Sequence, residues 1–321
     1  MNFLLGDALS VWQRFLSFDM YHNALVAGLG IALACGLLSV FVVHKRMAFI
    51  GEGIAHGAFG GAGLALFLGA LIPPMDTPLL RVAIIAAFCV VTAVVIGRIT
   101  YGGRVAEDSA IGIALVAAMA FGLVLIDLRS RFFGGYTPPL HDLLYGSILT
   151  VGGPPILGLN LEAWVALVLG LVVLLLVLAV FRRMVFFTFD EESAAVFGLP
   201  ISVLYFGLLV ALGVTISLAM RLVGIILCTG LLILPAATAS FWSRRIELIT
   251  VFSTLIALAG VVIGLFLSIW LQDVSTGPVI ALTLFALFLV SYFIDKLLRR
   301  RRSRVVSNHD NHDFPAAPPG R

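Results

Sequence analysis

Asn160-Leu-Glu-Ala-Trp-Val-Ala-Leu-Val-Leu-Gly-Leu-Val-Val-Leu-Leu-Leu-Val-Leu-Ala-Val-Phe181 contains one charged residue, Glu162. A helix rises about 1.5 Å per residue, so about 20 apolar residues cross the ~30 Å hydrocarbon core of a bilayer. Runs of the same kind lie near 22–43, 47–72, 79–98, 109–127, 201–219, 222–241, 246–271 and 277–295. Together they predict nine membrane spans. The run 47–72 is more polar and richer in Gly than the rest. The stretch 141–156 is short and broken by Gly152, Gly153, Pro154 and Pro155. It reads as a partial helix or re-entrant piece.

Composition agrees. Of 321 residues, 61% are hydrophobic and 12% charged, and the mean hydropathy is +1.13. A soluble domain carries roughly 25% charged residues. Lipid leaves backbone groups no outside partner, so helices or a closed barrel must satisfy them. No alternating ten-residue segments of barrel type occur. The expected fold is therefore an all-α, polytopic bundle of about nine transmembrane helices.

Basic residues set its orientation. Lys45, Arg46, Arg98, Arg104, Arg182, Arg183, Arg244 and Arg245 fall on one side if nine spans alternate. The terminal cluster Lys296, Arg299–Arg302 and Arg304 joins them. The other side holds Arg81, Arg129, Arg131 and Arg221. The first side reads as cytoplasmic, with the C-terminus inside. Residues 1–21 mix Leu, Phe and Trp with Asp7, Gln13, Arg14 and Asp19, and read as an amphipathic surface segment rather than a cleavable signal. Residues 22–295 form the membrane domain. Residues 296–321 form a basic, then disordered, cytoplasmic tail. No basic stripe with interleaved aromatics suggests nucleic acid. Cys35, Cys89 and Cys228 lie far apart in apolar runs and read as small buried residues.

The chemistry concentrates in Met47-Ala-Phe-Ile-Gly-Glu-Gly-Ile-Ala-His-Gly-Ala-Phe-Gly-Gly-Ala-Gly63. Glu52 and His56 are four apart and share a helix face. Gly53, Gly57 and Gly61 form an adjacent face on which another helix can approach closely. An ionisable group in a span costs about 2.5–3.5 kcal/mol on insertion scales. Two readings are open. Either the pair satisfies itself near the headgroups, or it forms a metal-passage site of carboxylate and neutral imidazole, which ligate zinc, manganese and iron(II).

The stretch Phe187-Thr-Phe-Asp-Glu-Glu-Ser-Ala-Ala-Val-Phe-Gly-Leu-Pro200 reads as a short helix. Thr188 or Asp190 can cap it, and Gly198 can end it. It is either a plain connector or a docking knob for a soluble partner. Glu107 and Asp108 open the fourth span and suit the helix dipole. Pro235 marks a kink or break, and Thr276-Gly-Pro278 a helix start. His309 and His312, with Asp310 and Asp313, read as a polar tail more than a metal site. His22, His44 and His141 read as interfacial or loop residues.

Arg46-Met-Ala-Phe-Ile-Gly-Glu-Gly-Ile-Ala-His-Gly57 resembles the second-span signature of the zinc/manganese/iron(II) permeases of bacterial ABC importers, R-M-x-x-x-G-D-x-x-x-H. Glu107-Asp-Ser-Ala-Ile-Gly-Ile113, Phe189-Asp-Glu-Glu-Ser-Ala194 with Gly198-Leu-Pro200, Val223-Gly224 with Leu232-Ile-Leu-Pro-Ala-Ala-Thr-Ala239, and Thr276-Gly-Pro278 are similar in the same order. The resemblance implies a homodimeric permease in the bacterial inner membrane, bound to two cytoplasmic ATPase subunits and supplied by an extracytoplasmic solute-binding protein. It implies an ATPase-coupling segment at Phe189, Asp190, Glu191, Glu192, Ala194, Ala195 and Gly198, and metal contact at Glu52 and His56. Glu52 stands where the family usually has Asp, one methylene shorter. The expected cargo is zinc, with manganese or iron(II) as the alternative, and no resident cofactor. The chain has no phosphate loop, so ATP hydrolysis is expected elsewhere. The competing reading is a proton-coupled carrier with Glu52 as the proton site.

Overall fold

Each apolar run closes its own backbone ladder, as lipid requires. The computed structural model describes residues 12–73, 77–101, 105–134, 153–156, 158–271 and 274–310. Among these, nine helical segments are long and apolar enough to cross a membrane. In chain order the helices are α1 (Asp19–His44), α2 (Ala48–Leu71), α3 (Pro78–Tyr101), α4 (Glu107–Phe133), α5 (Leu161–Phe189), α6 (Glu191–Val196), α7 (Ile201–Trp242), α8 (Ile246–Leu271) and α9 (Thr276–Asp310). The short α6 is no span, and α7 supplies two, Ile201–Met220 and Leu222–Trp242.

The two halves of α7 run in opposite directions. Ser202 Oγ meets Tyr101 Oη, at the end of α3, at 2.9 Å. Ala236 N–H donates to Ser39 Oγ, near the end of α1, at 3.2 Å. The ends of α1 and α3 lie in the same region, because Lys45 reaches Glu191 beside the start of α7. Residues 202 and 236 are thus near one end of the bundle, and the chain must turn back between them. The turn is at Gly224 (φ 83°, ψ 169°), a conformation essentially reserved for glycine. We call the end bearing Lys45, Arg46, Arg98, Arg182 and Arg183 the basic end.

Separate spans at 201–219 and 222–241 were expected, and the turn between them is at Gly224; Pro235 was expected to kink or break the second, and the helix continues through it. A proline disturbs the ladder of the preceding turn. The Ser39 hydroxyl of α1 takes the Ala236 N–H, so the polar group next to the proline is satisfied without a break.

Packing defines an inner layer. α1 contacts α5, α7 and α8; α2 contacts α3, α4 and α7; α9 closes on α7 and α8. Gly53 faces Ile111 and Ile96, Gly57 faces Thr92, and Gly61 faces Ile85 and Phe88. A Cβ on Gly60 would lie 2.7 Å from Ala118 O, and one on Gly63 2.5 Å from Gly122 O. These glycines let α2 sit backbone-to-backbone with α4, which no larger residue permits.

Before α5, Pro155–Ile156 (β1) pairs antiparallel with Leu159–Asn160 (β2). Of the stretch 141–156, expected to be a partial helix or re-entrant piece, only residues 153–156 are described, and they lead into this hairpin; 141–152, with His141, lie outside the described residues. The tail departs from expectation. α9 continues as helix through Ser303 to Asp310 rather than stopping near residue 295. Arg and Lys are good helix formers, and no Gly or Pro interrupts the run before Pro315. Residues 311–321, with His312, lie outside the described residues.

Candidate functional site

The corner between α1 and α2 sets where the polar pair stands. Lys45 N–H donates to Phe41 O, Arg46 N–H to Val43 O and Met47 N–H to Val42 O. Arg46 occupies the left-handed region at φ 62°, which a side-chain-bearing residue adopts at a cost. The chain thus re-enters the bundle within three residues, and Glu52 arrives one turn into α2.

Glu52 and His56 touch. His56 Nδ1 is 3.0 Å from the Glu52 carbonyl oxygen and 3.3 Å from Glu52 Oε1. A carbonyl can only accept, so Nδ1 carries a proton, and the tautomer this selects for a neutral ring has its lone pair on Nε2. The backbone thereby orients the imidazole as a ligand, the arrangement metal-binding histidines use. The Glu52 and His56 side chains are 39% and 20% exposed. Both side chains are partly open in the single chain.

Glu52 lines a groove of about 620 Å³ between α2, α7 and α9, with Phe49, Thr229, Ile233, Leu282 and Phe285 among its walls. Among the described residues it is the one charged residue on that lining. Thr229, which the sequence reading passed over, adds a hydroxyl; it bonds Ile225 O and Ile226 O at 3.1 Å. Among the described residues no group of three or more His, Cys, Asp or Glu converges to hold a metal. One chain offers the pair alone.

The cysteines, far apart in sequence, meet in space. All three are buried. The Cys228 thiol neighbours Cys35, with Cys89 and Glu52 within electrostatic range. Cys89 Sγ lies 3.9 Å from Ile54 O, and Cys228 is not on the groove lining that Ile226 and Thr229 share with Glu52. The thiols pack behind the groove rather than in it.

At the basic end, α6 has defined caps. Asp190 accepts the Ser193 N–H at 3.0 Å. Hydrogen bonds from Ser193, its side chain first and its backbone second, hold the Asp190 carboxyl below its usual range. Thr188, the other candidate cap, instead donates to Met184 O inside α5. Gly198 N–H donates to Ala195 O and Leu199 N–H to Ala194 O, with Gly198 at φ 77°. That is the Schellman ending, in which a left-handed glycine satisfies the last carbonyls. Glu191, Glu192 and Ala195 are exposed, and Phe189 is half out. Ala194 is buried and faces the bundle. Val196 and Phe197, which the sequence reading did not single out, are 85% and 77% exposed. They lie between the quoted acids and Gly198, so the exposed apolar pair was in view but unmarked.

Glu107 and Asp108 open α4, with Asp108 exposed in the first turn.

A polytopic helical bundle with a carboxylate–imidazole pair on an inner span, and a capped surface helix at its basic end, defines a membrane transport permease. The chain belongs to the ABC 3 transport family, whose model matches residues 17–295. It is 30% identical to the manganese transport system membrane protein MntC of Halalkalibacterium halodurans, over 88% of this chain and 89% of that one. It is 32% identical to the chelated iron transport system membrane protein YfeD of Yersinia pestis, over 91% and 90%. Among solved structures, PsaBC from Streptococcus pneumoniae in complex with Fab superposes with a TM-score of 0.75 at 26% identity, covering 91% of this chain and 99% of that one. The chain is thus a metal ABC importer permease, and the proton-coupled carrier reading gives way to it.

Proposed function

We propose that this permease passes a divalent first-row metal past Glu52 and His56, with manganese or iron(II) ahead of zinc. One observation carries the reading: Glu52 O fixes the His56 ring with Nε2 free, beside a carboxylate that opens on the α2–α7–α9 groove. Carboxylate and imidazole without thiolate suit manganese and iron(II) as well as zinc. Zinc, the first expectation, is not the metal in the names of the two relatives above; those names support manganese and iron.

Two donors per chain are few for any of these ions. A second copy of the chain, related by two-fold symmetry across the groove, would bring four N/O donors together. Weak, shared ligation suits a site that must release its ion. α6 then docks one of two cytoplasmic ATPase subunits through Phe189, Glu191, Glu192, Ala195, Val196 and Phe197, with Asp190 and Gly198 fixing its ends. A solute-binding protein delivers metal to the opposite face. The basic end and the C-terminus lie in the cytoplasm, in a bacterial inner membrane.

Metal uptake by cells carrying Glu52→Ala or His56→Ala tests this. Loss of an outer-shell partner alone costs about 10–100-fold in metal affinity, and loss of a ligand should exceed that. Uptake is expected to fall to background with the protein present at normal level. Normal uptake by both variants would remove the pair from the pathway. Running the assay with manganese, iron(II) and zinc in competition ranks the cargo.

A further inference from the structure

Lys45 is the first residue of the corner that opens α2, and it does not point into solvent like the other cations of the basic end. Arg182, Arg183, Arg244 and Arg245 are exposed. The Lys45 side chain is 13% exposed. Its Nζ lies 2.6 Å from Glu191 Oε2, on the first residue of α6. The same ammonium sits 3.6 Å from the centroid of the Phe187 ring, which is fully buried near the end of α5. One residue back, the His44 ring meets Phe189 edge-on, with centroids 5.6 Å apart.

Three contacts thus pin a three-residue corner to the α5–α6 junction. A partly desolvated ammonium held by both a carboxylate and an aromatic face is worth more than a free surface pair. The corner is stiff in its own right, through its three backbone hydrogen bonds and the left-handed Arg46. A displacement of α6 therefore cannot leave the start of α2 behind unless this contact breaks. Glu52 lies seven residues beyond Lys45.

We propose that Lys45, held by Glu191 and Phe187, is the positioning residue that transmits movement of α6 to the Glu52–His56 pair. The proposal rests on α6 being the ATPase-docking helix. It adds that the route to the metal site runs through the α1–α2 corner.

The test uses the whole importer, permease with its ATPase and solute-binding protein, in proteoliposomes. Lys45→Gln removes the charge and keeps most of the chain, and Lys45→Arg keeps both the ion pair and the contact with the ring. Three quantities are read: ATPase co-purifying with permease, ATP hydrolysed, and metal taken up per ATP. With Lys45→Gln the ATPase is expected to co-purify in wild-type amounts, while metal per ATP falls by about tenfold, the scale of a typical coupling energy. Lys45→Arg is expected to restore that ratio. Combining Lys45→Glu with Glu191→Lys is expected to recover more of it than either change alone. An unchanged ratio in Lys45→Gln overturns the proposal, as does loss of the ATPase from that variant, which would make Lys45 part of assembly. Failure of the ATPase to co-purify with wild-type permease overturns instead the docking role of α6.

Discussion

α2 and α5 cross the same membrane and are built in opposite ways. α5 is the most apolar of the nine spans, yet only 22% of its most apolar window is buried in the protein. α2 is the least apolar, and 61% of its window is buried. A soluble protein would reverse this order, because burial there follows hydrophobicity. Lipid tails are as apolar as leucine, so apolar side chains gain nothing by leaving them. What distinguishes an inner helix is close approach. α2 achieves it with Gly60 against Ala118 and Gly63 against Gly122. α5 shows large aliphatics outward, with Leu175 at 66% and Leu178 at 62% exposed, and keeps its small residues, Ala166 and Gly170, for one stripe against Gly30 of α1. The least apolar span is also the one that carries the Glu52–His56 pair.

The sharpest way to break this contrast is to give α2 the side chains of α5. Gly63→Leu would force a Cβ to within 2.5 Å of the Gly122 carbonyl, a backbone atom that cannot rotate away. Overpacking a tight site costs about 1–3 kcal/mol, and more where backbone must move. The variant is expected to accumulate poorly and to melt well below wild type in detergent. A wild-type melting temperature would show that α2 and α4 do not meet as described.

A smaller effect is expected at Ser39. Its hydroxyl is fully buried and takes the Ala236 N–H beside Pro235. Ser39→Ala leaves that buried donor unpaired, at about 1–3 kcal/mol. Thermal unfolding should report the loss. Adding Pro235→Ala should return part of it, since Ala236 can then rejoin an undisturbed ladder. Equal stability in Ser39→Ala and wild type would mean that Pro235 needs no help from α1.

These residues also mark what a reader of the sequence could see. The nine spans were legible because length and apolarity are local properties. The two ends of α6 were legible for the same reason, since Asp190 and Gly198 act within a few residues. The separation of spans 201–219 and 222–241 was legible too; the geometry of the turn between them and the fate of Pro235 were not. Pro235 was the visible signal, but a hydroxyl nearly 200 residues away, on α1, cancels its effect. Gly224 was quoted only as part of a resemblance, and nothing nearby announced its φ. The meeting of Cys35 with Cys228, and of Lys45 with Glu191, depends on which helices pack together, which periodicity cannot report. The face shared by Glu52 and His56 followed from their spacing. The groove beside Glu52 is built by α7 and α9 and appears only in the fold.

The smallest effect belongs to the outer face of α5, and it sharpens the comparison by asking which surface a second copy covers. Leu175→Ala trims a side chain that is 66% exposed. Substitutions away from packed features stay within about 0.5 kcal/mol, so stability, dimerisation and uptake are all expected to match wild type. Phe285→Ala trims a groove wall that is 46% exposed in the single chain. If two copies meet across the α2–α7–α9 groove, that change weakens the dimer while Leu175→Ala does not. Cross-linking of the two variants in native membranes reads the difference directly. The reverse result, a dimer lost with Leu175→Ala and kept with Phe285→Ala, would put the partner on α5 and leave the groove, with Glu52 in it, facing lipid. A carboxylate there would have no reason to be tolerated, so the placement of the dimer and the role of Glu52 stand together.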